Sequence, residues 1–441
     1  MSFFRGQLPE STISMCAIRF RAPTGCYLAL LFAGLVVVQG AKAQQDIPLT
    51  LAAAEDVALD NEPGQAALLA HANALEEESV AVGQLPDPML RMGLANFPLQ
   101  SGGFTTEGMT QAQLGIRQTF PPGKTRAFST RRFESLSLEM RENADGRGRD
   151  VLTAVRHAWL ETYYWERAHA IVDESRPFFN DLVTVTRSLY SVGRRDLQDL
   201  LRAELELSRL DDRLIDINKQ HSRAIAVLSE WVGTDANRPI AQKLPQWQQV
   251  PAVEIMQSNL LAHPALKAAE ARIDARQAGI ELAEQRYKPG WALDLGYGYR
   301  DGFLANGNPR SDFISLSVTM DLPFFHKNRQ DRRLAAALSE RRAANESKEQ
   351  LRRRLSSRLD AEYAQWHELT RRIELYEQQI LSQARDHAQA SLVAYQSDTA
   401  DFADVMRGYI DDLNTRVDHI RLQVEQAQSY AAIANLGGIA R

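Results

Sequence analysis

The stretch Trp291-Ala-Leu-Asp-Leu-Gly-Tyr-Gly-Tyr299 decides the fold. Its odd positions are Trp291, Leu293, Leu295, Tyr297 and Tyr299, and its even positions are Ala292, Asp294, Gly296 and Gly298. A period of two, with apolar side chains on one face and small or polar ones on the other, is the mark of a β-strand. After the loop Asp301 to Ser311 the chain returns with Ile314, Leu316, Val318 and Met320 alternating with Ser315, Ser317, Thr319 and Asp321. Segments of about ten residues with this alternation are the signature of a membrane barrel strand. A soluble antiparallel sheet with one wet face shares the pattern.

Two hundred residues upstream the same device recurs. Leu90, Met92 and Leu94 alternate with Arg91, Gly93 and Ala95, and Ala112, Leu114 and Ile116 with Gln113, Gly115 and Arg117. The likeness extends beyond the strands. Tyr190-Ser-Val-Gly-Arg-Arg-Asp196-Leu-Gln-Asp199-Leu-Leu-Arg202 aligns with Tyr395-Gln-Ser-Asp-Thr-Ala-Asp401-Phe-Ala-Asp404-Val-Met-Arg407, so that Tyr, two Asp and Arg recur 205 residues apart. Gln118-Thr-Phe-Pro-Pro-Gly-Lys124-Thr-Arg126 corresponds to Met320 to Arg329 with one inserted residue, and Pro63 and Pro88 precede Pro264 and Pro289 by 201. The order is kept, which is the mark of a duplication.

Between the strand pairs lie long helical stretches. Residues 124–192 contain one proline, Pro177, and residues 327–397 contain none. About 69 residues at ~1.5 Å each give a rod of roughly 100 Å, far above the helix length of an ordinary domain. Shorter helices are expected at 194–232 and 399–434, and ahead of the strands at Pro63 to Leu85 and Pro264 to Tyr287. The strands are expected at about 90–98, 110–119, 291–300 and 312–321. The expected organisation is a first repeat over 44–232, an inter-repeat equatorial segment over 233–262 and a second repeat over 263–441. Four strands cannot close a barrel, which needs about eight, so a membrane reading requires an oligomer, and a trimer would supply twelve.

The first 43 residues read as a secretory signal: Arg19 and Arg21, the apolar run Tyr27 to Val38, then the small-x-small site Ala41-Lys42-Ala43. Met15 would begin a leader of more ordinary length. Both cysteines, Cys16 and Cys26, fall inside it, which leaves the remainder without a disulfide or thiolate chemistry. Removing the leader takes away Arg5, Arg19, Arg21 and Lys42 of 51 basic residues and Glu10 of 56 acidic ones, leaving 47 against 55 and a net charge near −8. Nucleic acid is an unsuitable partner for such a chain. No apolar run after the leader approaches the ~18 to 20 residues of a membrane helix, so any membrane entry must be as a barrel. The nine histidines form no close ligand pair, and no P-loop or nucleophile motif occurs. The sequence therefore offers no catalytic residues, cofactor site or metal site, and the chain is read as a non-enzyme.

These residues resemble the TolC-type outer-membrane efflux proteins over nearly the whole chain after the leader. The most specific pieces are the duplicated helix-strand-strand-helix plan, the Gln118-x-Phe-Pro-Pro-Gly-Lys-x-Arg126 step, and Tyr190-x-Val-Gly-x-x-Asp-x-x-Asp199-x-Leu. Asp87-Pro-Met-Leu and Asn96-Phe-Pro resemble the heavy-metal (cobalt-zinc-cadmium type) resistance branch. The resemblance implies an α+β membrane protein: a homotrimer whose twelve strands form a β-barrel in outer-membrane lipid, continued by a long periplasmic α-helical barrel. It implies a passive exit duct docking on a periplasmic adaptor (membrane-fusion) protein and a proton-driven inner-membrane pump, with metal cations as cargo. Drugs or other small organic molecules are the alternative cargo, and an exported coiled-coil scaffold is the alternative from another class. Carried over by position, Tyr190, Gly193, Asp196 and Asp199 fall at the first periplasmic tip and Tyr395, Asp401 and Asp404 at the second, ringing a constricted entrance. Arg202 and Arg407, within a turn of Asp199 and Asp404, are the expected latches. The second turn departs from the pattern, with Asp398 where the first has Gly193.

Overall fold

Each half begins with a proline held at the first turn of a helix. The Glu62 carboxylate accepts the Gly64 N–H at 2.8 Å ahead of Pro63, and His263 Nδ1 accepts the Ala265 N–H at 3.2 Å ahead of Pro264. Proline suits this place because its missing N–H would have no partner there. The computed structural model describes residues 47–60, 62–247, 249–397 and 399–437, which from Leu49 onward form one compact unit. The secretory signal, both cysteines, Met15 and Asp398 lie outside the described residues.

The elements run α1 (Leu51–Asp60), α2 (Pro63–Val82), β1 (Met89–Ala95), β2 (Gln111–Phe120), α3 (Thr125–Ser191) and α4 (Leu197–Val232). They repeat as α5 (Val253–Leu260), α6 (Pro264–Gln285), β3 (Trp291–Tyr299), β4 (Phe313–Met320), α7 (Gln330–Leu375), α8 (Leu381–Gln396) and α9 (Phe402–Gly437). The expected rods and strands are present, with ends shifted by a few residues. Two short helices were not anticipated. Within the segment 233–262, α5 begins 202 residues after α1 and occupies the corresponding place ahead of its own repeat.

α3 stays helical through Pro177. The second rod, expected to be uninterrupted, is broken by a π turn at Tyr376–Ile380, where the Leu381 N–H reaches the Tyr376 carbonyl instead of one four residues back. The wider turn aims Tyr376 and Glu377 at α9. The Tyr376 ring stacks on His419 at 6.3 Å, and Glu377 lies 3.3 Å from His419 Nε2.

The strands form one antiparallel sheet in the order β1-β2-β3-β4, so its central pair, β2 with β3, joins the two halves. The helices pack beside it and away from it around three large apolar clusters. One gathers α1, α3 and α4 around Trp159, whose indole N–H donates to the Leu49 carbonyl at 2.9 Å. Its counterpart gathers α5, α6, α7 and α9 around Leu359 and Trp366. The third lies under the helical turns at the far end and includes Leu182, Leu200, Tyr395, Phe402 and Val405. Gly123 opens the step from β2 into α3 with φ +53; a Cβ there would lie 2.4 Å from Gln285 Oε1, a side chain that also accepts the Lys124 N–H.

Candidate functional site

The sheet register assigns every strand residue to a face. One row is Leu90, Ile116, Leu295 and Leu316; the next on that face is Met92, Leu114, Tyr297 and Ile314; Leu94, Ala112 and Tyr299 follow. At the other end of the same face Phe120, Trp291 and Met320 align, with Phe120 stacked on Trp291 at 4.0 Å. Most of these side chains are exposed: Met92 is 73% exposed, Leu316 69% and Ile314 79%. No charged residue interrupts the face. The alternate rows are mostly polar or small, with Arg91, Gly115, Gly296 and Ser315 in one and Arg117, Asp294 and Ser317 in another; Met89 and Phe313, at the ends of β1 and β4, are the large apolar side chains on that face. Both outer strands, β1 and β4, leave one backbone edge unpaired within the chain. Among the described residues no helix is long and apolar enough to cross a membrane.

The helical turns at the opposite end hold the residues singled out from the sequence. α3 ends in a Schellman turn: the Gly193 N–H donates to the Tyr190 carbonyl and the Arg194 N–H to the Leu189 carbonyl, both at 2.9 Å. Gly193 supplies the φ of +71 that this closure needs. The second turn is closed differently. The Thr399 N–H and hydroxyl both donate to the Ala394 carbonyl at 2.9 Å, and the Ser397 hydroxyl donates to the Val393 carbonyl at 3.0 Å.

Asp196 stands at the start of α4 and Asp199 in its first turn; Asp401 and Asp404 hold the same places at α9. Burial raises the Asp199 carboxyl above its ordinary pKa; Arg195 and Arg202 pull it down, while Asp196 and Asp401 push it up. The two turns of one chain therefore share one electrostatic neighbourhood. Of the two expected latches, Arg407 pairs with Asp404 at 3.5 Å on an exposed surface, whereas Arg202 makes no ion pair with Asp199 among the described residues.

The link between the turns comes from a residue that the sequence did not single out. Arg195 lies over the buried Tyr395 ring, 4.4 Å from its centroid, and its Nη2 donates to the Tyr395 carbonyl at 3.5 Å. Tyr395 in turn meets Phe402 edge-on at 5.6 Å. Arg195 aligns with Ala400 in the other half, so a comparison of repeats, which favours what both halves share, passes over it. The only signal present was an extra arginine beside the Gly193 turn.

Residues 255–438 match the family model described as outer membrane efflux protein. No curated protein matches significantly in sequence. Among solved structures, the chain is similar to the outer membrane protein VceC of Vibrio cholerae, with a TM-score of 0.73 and 18% identity over 88% of this chain and 96% of that one. It is similar to CusC, with a TM-score of 0.76 and 16% identity over 89% and 93%. It is also similar to the MtrE outer membrane channel of Neisseria gonorrhoeae in its open state, with a TM-score of 0.70 and 15% identity over 88% of each. At these identities the likeness is one of fold.

Proposed function

We propose, from the premise that residues 255–438 belong to the outer membrane efflux protein family, that the chain is one subunit of a passive outer-membrane exit duct. The observation that carries this reading is the apolar face of the sheet, free of charge and interrupted only by Gln118 in the row with Leu293 and Val318. A face of this kind left to water is strongly unfavourable and marks a membrane or protein contact. The central strands β2 and β3, of 10 and 9 residues, have the ~9 to 11 residues that a tilted strand needs to cross the ~25 Å apolar band of an outer-membrane barrel, while β1 and β4, of 7 and 8, fall a little short of it.

The unpaired edges of β1 and β4 give the second half of the reasoning. Backbone groups cannot stay unsatisfied in lipid, so β4 of one chain must pair with β1 of another until the sheet closes. Three chains give twelve strands. The long rods then continue the barrel as a helical tube into the periplasm, with the turns at 190–199 and 395–404 as its tip. There the four aspartates of each chain form an acidic entrance, and the Arg195 to Tyr395 contact is its latch. A periplasmic adaptor and a proton-driven inner-membrane pump supply cargo and energy, since a passive tube has no energy source of its own. On the resemblance of residues 87–126, that cargo is metal cations; small organic molecules are the alternative.

The test is planar-bilayer recording with the purified full-length protein. Discrete, stable ion-conducting insertions that require detergent for extraction support the duct. A protein released from membranes by salt alone, and silent in bilayers, would point instead to an exported scaffold.

A further inference from the structure

The strands carry three charged side chains, Arg91, Arg117 and Asp294, and the register places all three on the face opposite the Leu90, Ile116, Leu295, Leu316 row. Arg117 stands directly across from Asp294, with Nε 3.9 Å from Oδ1. Arg91 stands across from Gly115, with Gly296 and Ser315 completing its row. Among the described residues it has neither an ion-pair nor a hydrogen-bond partner. Two positive charges meet one negative charge, so each chain leaves one guanidinium uncompensated.

The surroundings give that guanidinium room. Its row-mates Gly115 and Gly296 have no side chains, and the sheet carries a recess of about 300 Å3 there. Gln113, Ser315 and Ser317 line it beside the two arginines, and the Asp294 carboxylate lines its Arg117 side. Amide and hydroxyl donors around an unneutralised guanidinium form the donor set that oxyanions and carboxylates fit.

We propose that, on the reading of the chain as a barrel subunit, Arg91 makes the water-facing wall of the pore an anion-attracting station. Its ligands are small solutes bearing a carboxylate, phosphate or sulfate group, held by Arg91 with help from Gln113 and Ser315. Arg117 contributes less because Asp294 offsets its charge. Three chains repeat the station around the axis, and rings of one charge sign select permeant ions by sign. Bare cations meet a repulsive wall at this level, so metal cargo would cross it most readily as a neutral or anionic complex.

The reversal potential of the full-length protein under a KCl gradient across a planar bilayer tests this. A unit charge at ~8 Å in water changes local counter-ion concentration about twofold. The chloride-to-potassium permeability ratio is therefore expected to fall at least about twofold in Arg91→Gln and to hold in Arg91→Lys. Asp294→Asn, which releases Arg117 from its partner, is expected to move the ratio the other way. Channels whose ratio is the same in wild type, Arg91→Gln and Asp294→Asn would overturn the station and leave the duct standing. Arg195→Ala protein, unlatched at the tip, that inserts without conducting would overturn the duct reading, and the station with it.

Discussion

Arg195→Ala tests the latch at the helical tip. The substitution removes a guanidinium lying 4.4 Å over the Tyr395 ring and a 3.5 Å hydrogen bond to its carbonyl. A cation over an aromatic face contributes ~0.5 to 1 kcal/mol at an exposed site and ~2 when desolvated. Arg195 is half-buried and the hydrogen bond is long, so about 1 kcal/mol per chain is the reasonable figure. If three chains open together the closed state loses ~3 kcal/mol, a shift of roughly a hundredfold toward open. Single-channel recording at low salt reads this as a rise in open probability. Tyr395→Leu removes the ring contact but leaves the carbonyl, so it should reproduce part of the rise, and the double variant should rise by less than the two single changes added. Unchanged open probability in Arg195→Ala, or full additivity with Tyr395→Leu, would refute the latch.

Other parts of the helical region give independent tests. Burial lowers the pKa of His157, His221 and His263 below the ordinary 6.5. Below pH 6.5 the unfolded chain therefore binds more protons than the folded one, and stability present above 6.5 is lost as pH falls. The melting temperature should drop between pH 7.5 and 5.5, and a flat or rising profile would contradict this; protonation of His263 also removes the acceptor that caps α6. Trp159→Ala empties a fully buried site and should lower stability by ~3 to 5 kcal/mol, while Trp159→Phe, which removes the indole donor but leaves the Leu49 carbonyl with the Ala241 N–H at 3.2 Å, should cost only ~0.5 to 1.5 kcal/mol; denaturant midpoints measure both. Gly408→Val places a branched side chain where a Cβ would already lie 3.1 Å from the Ala388 Cα. It should force α8 from α9 at a cost of ~1 to 3 kcal/mol, seen as faster proteolysis near residues 388–408.

The strands and rods were legible because their signals are periodic and long: alternation at 291–299 and 314–320, and nearly proline-free runs of about 70 residues. The sheet order was not, because pairing of β2 with β3 links residues some 180 apart and leaves no local trace. α1 and α5 are ten and eight residues long, too short for periodicity to separate from loop; only their 202-residue spacing could have exposed them. The π turn has no proline or glycine to announce it, and its partner His419 lies on another helix. At the tip, the residue types shared by both halves were readable, but side-chain reach was not. Arg407 meets Asp404, Arg202 misses Asp199, and the unrepeated Arg195 spans the two turns.

The proposal that the sheet is a barrel wall is most directly tested by single cysteines at each position from 314 to 319. Both native cysteines precede residue 44, so each label in the chain after the leader reports one site. In protein embedded in lipid, a water-soluble thiol reagent should modify positions 315, 317 and 319 and spare 314, 316 and 318, because the register puts Ser315, Ser317 and Thr319 on the polar face. Equal labelling of both sets, as on a sheet bathed by water on each side, would contradict the barrel.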